Sequence, residues 1–278
     1  MTYVALGDSY ASGEGIPPYE AGANGCRRSV RSYPTLLREN GPERFRELRS
    51  AACSGAVTAD VLASQVSALR DDTETVTLTV GGNDAGFAAV VAASLHSPEP
   101  RLQAVLDQGA AWRAATKAGA QRRIAFLGGP AAAPQDRSVP LVRVLSEVAR
   151  RAPDAEILVT GYPRLLGSRP TPQGHRASDV LPLFVSDADA EWLATQSDAL
   201  DAALASGVQR ARAGGVNARY VDVSAEFDGH GLSDRQAPWV NGVVLASLGS
   251  LVPDSSSFHL TAEGSQAYAT AIGADPAA

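Results

Sequence analysis

Short apolar runs alternate with longer stretches of mixed polarity along this chain. Runs rich in aliphatic and β-branched residues stand at Tyr3–Leu6, Leu48–Ala52, Val76–Val80, Ile157–Thr160 and Arg219–Val223, and each has the length of a strand bounded by turn residues. Between and after them, apolar residues at helical spacing predict helices over Tyr33–Glu39, Thr58–Leu69, Ala85–Ala93, Leu141–Arg151, Asp187–Ala213 and Ala262–Ile272. The longest puts Leu193, Leu200, Leu204 and Val208 on one stripe with charges elsewhere, a pattern of core packing. Strand–helix alternation predicts an α/β protein. We expect five parallel strands between two helical layers, a three-layer α/β/α sandwich of flavodoxin-like kind with a loop-rich cap. Ile124–Leu127, followed by Gly128-Gly129-Pro130 and an Ala/Pro run to Pro134, is open between a short helix and a loop or lid. Neither a repeat nor a low-complexity linker divides the chain, so residues 1–278 are expected to form a single domain.

Two of the strand ends carry candidate chemistry, and a loop near the end of the chain carries a third element. The first run breaks into Gly7-Asp8-Ser9, where a glycine allows the tight turn that would leave Ser9 at the carboxyl edge of the sheet. In open α/β sheets ligands bind at that edge. A plain Asp/Ser turn is the alternative. The third run breaks into Gly81-Gly82-Asn83-Asp84; the Asn83 amide could donate to a developing oxyanion, or the segment could be an ordinary turn with Asp84 as helix N-cap. His259 stands in a loop just before a helix for which Thr261 is the expected N-cap. By itself it could be a base or a packing histidine.

Taken together these blocks resemble the SGNH hydrolase family, the GDSL esterases and lipases, and within it the actinobacterial secreted branch. The resemblance rests on Gly7-Asp8-Ser9 in the longer form Gly-Asp-Ser-Tyr-Ala-Ser-Gly-Glu-Gly, on Ala52-Cys53-Ser54-Gly55-Ala56, on Gly81-Gly82-Asn83-Asp84 and on the His259 loop, in that order. Cys26-Arg27-Arg28-Ser29, Val159-Thr160-Gly161-Tyr162-Pro163-Arg164 and Phe227-Asp228-Gly229-His230-Gly231 extend it over nearly the whole chain, leaving about Ser97 to Gln135 unmatched. The resemblance implies that Ser9 is a nucleophile and His259 its general base. It also implies an oxyanion hole formed by the N–H groups of Ser9 and Gly55 and the side-chain amide of Asn83. Such members commonly carry an aspartate three residues before the histidine, and here that residue is Ser256. Either the backbone carbonyl of Ser256 orients the ring, the reading we favour, or Asp254 reaches it through another loop geometry. The resemblance also implies a Cys26–Cys53 disulfide, against two free thiols of a cytosolic protein. Ser233 stands where a later cysteine of that branch would be expected.

Composition narrows the remaining possibilities. A formal net charge of −6 with no long basic run makes nucleic acid an unexpected partner. The pairs Arg27-Arg28 and Arg150-Arg151 read as solvated. No stretch approaches the roughly 18 apolar residues of a membrane span. Met1 leads directly into a strand, so an export signal is expected to be absent here. That leaves a cytoplasmic protein or, as the resemblance favours, a secreted one whose leader Met1 replaces. Two cysteines without nearby histidines make no metal site, and no cofactor is expected: there is neither a P-loop nor a Gly-x-Gly-x-x-Gly turn opening a helix. His96 and His175 are expected to face solvent, and His230 to pack near the site. Trp112, Trp192 and Trp239 are read as core or rim, and Trp239–Gly242 as a possible wall of an acyl pocket. The resulting expectation is a monomeric serine hydrolase acting on short- to medium-chain acyl esters as small-molecule substrates. A deacetylase or thioesterase for a specialised acylated molecule or sugar, and a non-catalytic binding protein of the same fold, are the alternatives.

Overall fold

Aliphatic strands buried on both faces need a helical layer on each side, and that requirement organises the chain. The computed structural model describes residues 2–22, 25–41, 43–107, 110–129, 138–167, 171–247 and 253–274. In chain order the elements are β1 (Thr2–Gly7), α1 (Ser9–Ser12), α2 (Tyr33–Asn40), β2 (Glu47–Ser50), α3 (Thr58–Ala63), β3 (Thr73–Thr79), α4 (Gly82–Ala85), α5 (Phe87–Ala92), β4 (Leu95–His96), α6 (Pro100–Asp107), α7 (Ala110–Gly128), α8 (Leu141–Arg151), β5 (Glu156–Thr160), β6 (His175–Arg176), β7 (Phe184–Val185), α9 (Asp187–Ala213), β8 (Ala218–Val221) and α10 (Ala262–Gly273). The main sheet is parallel with order β2-β1-β3-β5-β8. Its reversal of direction falls between β1 and β3, the switch point where such sheets open a crevice. Register places Val4 beside Arg49 on one side and Val76 on the other. Helices α2 and α10 pack together, with the Tyr33 and Tyr268 rings stacked 4.9 Å apart. The other layer brings α8 and α7 onto α9, and α3 onto α8.

The five strands of the main sheet and the helices α8, α9 and α10 stand where the hydrophobic pattern predicts, whereas the 19-residue α7 lies in the stretch for which the sequence offered only a short helix or a loop. Strand β3 starts at Thr73 rather than Val76 because Thr73 and Thr75 pair with Thr2 and Tyr3 of β1, and Thr75 also with Glu156 of β5; further along, Thr77 Oγ1 meets Tyr3 OH at 2.8 Å, and Thr79 Oγ1 meets Tyr33 OH at 2.8 Å and Thr160 Oγ1 at 2.7 Å. The helix expected over Thr58–Leu69 stops at Ala63 and resumes as a 3₁₀ turn at Gln65–Ala68. There Gln65 turns inward and clamps Gly7, accepting from its N–H at 2.7 Å and donating to its carbonyl at 2.8 Å. The helix expected over Ala85–Ala93 starts earlier and breaks at Gly86, which adopts a left-handed φ of 78°. Residues 124–127 belong to α7, with Ile124, Phe126 and Leu127 buried, so the helical alternative holds there; residues 130–137 lie outside the described part. A small antiparallel sheet, β4-β7-β6, was not foreseen, because two-residue strands carry no period to read.

Cys26 and Cys53 are joined by a disulfide that ties the loop after α1 to the loop after β2. A bridge across a sequence separation of 27 should contribute roughly 3.5 kcal/mol by restricting the unfolded chain. Replacing both cysteines by serine is therefore expected to lower the urea-unfolding free energy by about 2–4 kcal/mol; a change below about 0.5 kcal/mol would show that the bridge does not restrain the unfolded chain.

Candidate active site

The β1 corner depends on a glycine. Gly7 has φ 131°, and a Cβ there would stand 2.1 Å from the carbonyl oxygen of Thr79. No side chain fits, so the two central strands close on each other and the chain turns at once into α1. Asp8 caps that short helix, accepting from Tyr10 N–H at 3.0 Å, and its own N–H donates to Thr79 O at 2.8 Å. Ser9 is thus the first helical residue, buried, with its N–H in the turn where helical donors lack internal partners. The β2 corner follows: Cys53 N–H donates to Gly7 O at 3.0 Å, and Gly55, exposed at φ 81°, forms the tip of the next turn. At the β3 corner Asn83 donates its side-chain amide to Ala56 O at 3.1 Å, joining that tip to α4.

Asp84 is not the N-cap of α4, which begins at Gly82 after Gly81. Its buried carboxylate turns away to accept from Thr58 N–H at 3.0 Å and from Thr58 Oγ1 at 2.5 Å, so it fixes the start of α3. Burial pushes its pKa up.

The histidine loop is strapped to the segment before it. Asn241 N–H donates to His259 O at 2.7 Å, Phe258 N–H to Asn241 O at 3.0 Å, and Thr261 N–H to Trp239 O at 2.9 Å. Trp239–Gly242 therefore carries the loop rather than lining the cleft beside Ser9. Thr261 caps α10 as expected, accepting from Gly264 N–H. The carbonyl facing the ring is that of Ser257, 3.1 Å from Nδ1, one residue later than expected. Ser256 O instead accepts the backbone N–H of His259 at 3.2 Å. The shift goes with Phe258, which takes a left-handed φ of 62° and turns the preceding carbonyl under the ring. Asp254 is held by Ser256, whose side-chain hydroxyl and then backbone N–H, the latter at 2.9 Å, donate to it and lower its pKa, and it does not reach the imidazole as a partner. Burial pushes the His259 pKa below its ordinary 6.5, against the opposing pull of Glu14 and of the Ser257 and Ser255 carbonyls.

A residue the sequence reading passed over binds these corners together. Tyr162, just past β5, donates its hydroxyl to Asp8 Oδ2 at 2.5 Å and accepts from Gly82 N–H at 3.1 Å, while its own N–H donates to Asp201 at 2.9 Å. Burial raises the pKa of Asp8 to about 7 against the hydrogen bonds from Tyr162 and Tyr10, and burial likewise raises Asp201 to about 7. Asp8, Ser9, Tyr10, Asn83, Tyr162 and His259 line one narrow cleft of about 60 Å³, with Phe87, Ala88, Pro163, Leu200 and Phe258 as its apolar walls. Gly55 stands one residue from the Ala56 carbonyl that holds Asn83.

The other histidines play different parts. His175 is buried between Ser233 Oγ, 3.1 Å from Nδ1, and Asp187, contrary to the solvent-facing expectation. His96 bonds Gln173 O at 2.8 Å, and His230 stacks on Trp239 with 3.5 Å between centroids. A larger cavity of about 720 Å³ runs past Arg164, His175, Asp187, Glu191 and Asp228 and is lined by none of Ser9, Asn83 and His259. Among the described residues no cluster of His, Cys, Asp and Glu could hold a metal ion, and no helix is long and apolar enough to cross a membrane.

The chain belongs to the GDSL-like lipase/acylhydrolase family, whose model matches residues 5–267, and it is a carboxylic ester hydrolase. It is 32% identical to Lipase 1 of Streptomyces coelicolor, over 94% of this chain and 81% of that protein. Among solved structures it resembles the extracellular lipase of Streptomyces rimosus, with 31% identity, 98% of each chain covered and a TM-score of 0.73. Phospholipase A1 of Streptomyces albidoflavus NA297 is similar at 30% identity, with 98% of each chain covered and a TM-score of 0.75.

The raised pKa of Asp8 makes stability depend on pH. Its contribution is fully present below the unfolded value of 3.8 and is lost as pH rises through about 7. Over that range the wild type should lose at most about 4 kcal/mol relative to Asp8→Asn. Urea unfolding of both proteins at several pH values from about 4 to about 8 tests this, and parallel stability curves would refute it.

Proposed function

We propose that the protein hydrolyses short- to medium-chain acyl esters through an acyl-enzyme on Ser9, with His259 as general base. Ser9 Oγ attacks the ester carbonyl, His259 Nε2 takes the hydroxyl proton and passes it to the leaving alcohol, and water then repeats the sequence to release the acid. The N–H groups of Ser9 and Gly55 and the Asn83 amide stabilise the oxyanion. The observation that carries this reading is the Ser257 carbonyl 3.1 Å from His259 Nδ1. It favours the tautomer with the proton on Nδ1, which leaves Nε2 free to accept. The apolar walls supplied by Phe87, Leu200 and Phe258 suit an acyl chain. The disulfide supports export to an oxidising compartment.

Hydrolysis of p-nitrophenyl esters of graded chain length is the direct assay. Ser9→Ala should lose nearly all turnover, whereas Asp254→Asn should keep most of it, because the group facing Nδ1 is a carbonyl. A loss of several thousandfold in Asp254→Asn, the scale of a removed triad acid, would reverse that assignment.

A base must be neutral to act, so kcat/KM should be high above the His259 pKa and fall as pH drops through it. Because burial lowers that pKa, the acid limb should lie below 6.5. A limb at or above 6.5 would contradict the neutral, buried imidazole.

A further inference from the structure

His259 is about to become a cation in each half-reaction, yet its own loop offers it no close carboxylate. Ser256 occupies the position of the usual acid, and Asp254 is spent on the backbone of Ser256. A carboxylate does approach from another segment. Glu14 follows α1 and is 2% exposed. Its N–H donates to Ser9 O at 3.0 Å, and its Oε1 accepts from Ser255 Oγ at 2.7 Å. The neighbouring Gly15 lies so close that a Cβ there would stand 3.3 Å from His259 Cβ. Glu14 therefore sits between the serine corner and the histidine loop, held to both.

We propose that Glu14 is the positioning residue of this site, a carboxylate anchored through Ser255 that stabilises the protonated His259 ring in place of the missing loop acid. The proposal rests on His259 acting as the general base. Burial makes the charged imidazole costly, and a fixed negative charge nearby offsets that cost. Among the described residues, the Ser257 and Ser255 carbonyls also draw the ring toward its charged form. Tyr10 lies with its ring centroid 5.7 Å from that of the imidazole, and Asp254 exerts a weaker pull than Glu14. Arg27 stands 3.9 Å from Glu14 on its outer, half-exposed side. It follows Cys26, so the disulfide anchors the outer partner of this carboxylate as well.

The test compares wild type with Glu14→Gln, which keeps an acceptor for Ser255 and removes the charge, and with Glu14→Asp, which restores it. In Glu14→Gln the acid limb of kcat/KM should move to lower pH by up to about one unit, the low end of what one nearby opposite charge does. Turnover above the limb should fall by up to about tenfold with KM unchanged. Glu14→Asp should bring the limb back toward that of wild type. NMR titration of the His259 ring in the same proteins reads the charge contact without reference to catalysis. A ring titration unchanged by Glu14→Gln overturns the proposal, even if turnover falls, because a merely structural role would leave it in place. A ring that responds to Glu14 while the activity limb does not follow would instead remove His259 as the base, and the proposal with it. Should Glu14→Gln fail to fold, Ser255→Ala gives the second reading: releasing the carboxylate should move limb and ring titration the same way, and no movement overturns the proposal.

Discussion

The hydrogen bond from the Tyr162 hydroxyl to the Asp8 carboxylate is the contact on which the site's geometry depends. Each of the central strands ends in a corner that must release its chain toward the same cleft, and backbone pairing alone stops at those corners. Tyr162 bridges them from the end of β5, reaching Asp8 before Ser9 and Gly82 before Asn83 with a single oxygen. Asp201, on α9, takes the N–H of the same residue, so the helical layer is tied into the same knot. Burying two carboxylates there is unfavourable to their charged forms. The hydrogen bonds they accept recover part of that cost, and the remainder appears as their raised pKa values.

Much of this was readable from sequence where the cause was local. Continuous apolar runs gave the strands because both faces of a parallel sheet are covered, and Leu141–Arg151 and Asp187–Ala213 coincide with their expected bounds because amphipathic spacing and turn residues agree. The remainder depends on partners distant in the chain. Nothing near Gln65 announces that it will leave its helix to clamp Gly7, 58 residues earlier. Threonines at the start of β3, Thr73 and Thr75, look too polar for a core strand until β1 is seen to pair with them through Thr2 and Tyr3. The carbonyl facing His259 Nδ1 stands one residue later than the sequence suggests, because the left-handed turn at Phe258 has no glycine to signal it. His175 looked like a loop histidine until Ser233 and Asp187 closed over it.

The electrostatics of the cleft divide into two sides. On the sheet side, Asp8 is kept among phenols and backbone donors, where burial favours its neutral form. On the loop side, His259 is depressed by burial and drawn back by carbonyls and by Glu14. Ser9 lies between a carboxyl that resists ionisation and an imidazole that resists protonation. That arrangement limits the permanent charge immediately around Ser9.

The disulfide has a mechanical meaning beyond its effect on the unfolded chain. Cys53 lies two residues before Gly55, and Cys26 lies one residue before the arginine that flanks Glu14. One covalent link thus joins the loop of Gly55 to the segment whose Arg27 flanks Glu14. The two loops cannot separate independently, so a displacement of one is felt by the other.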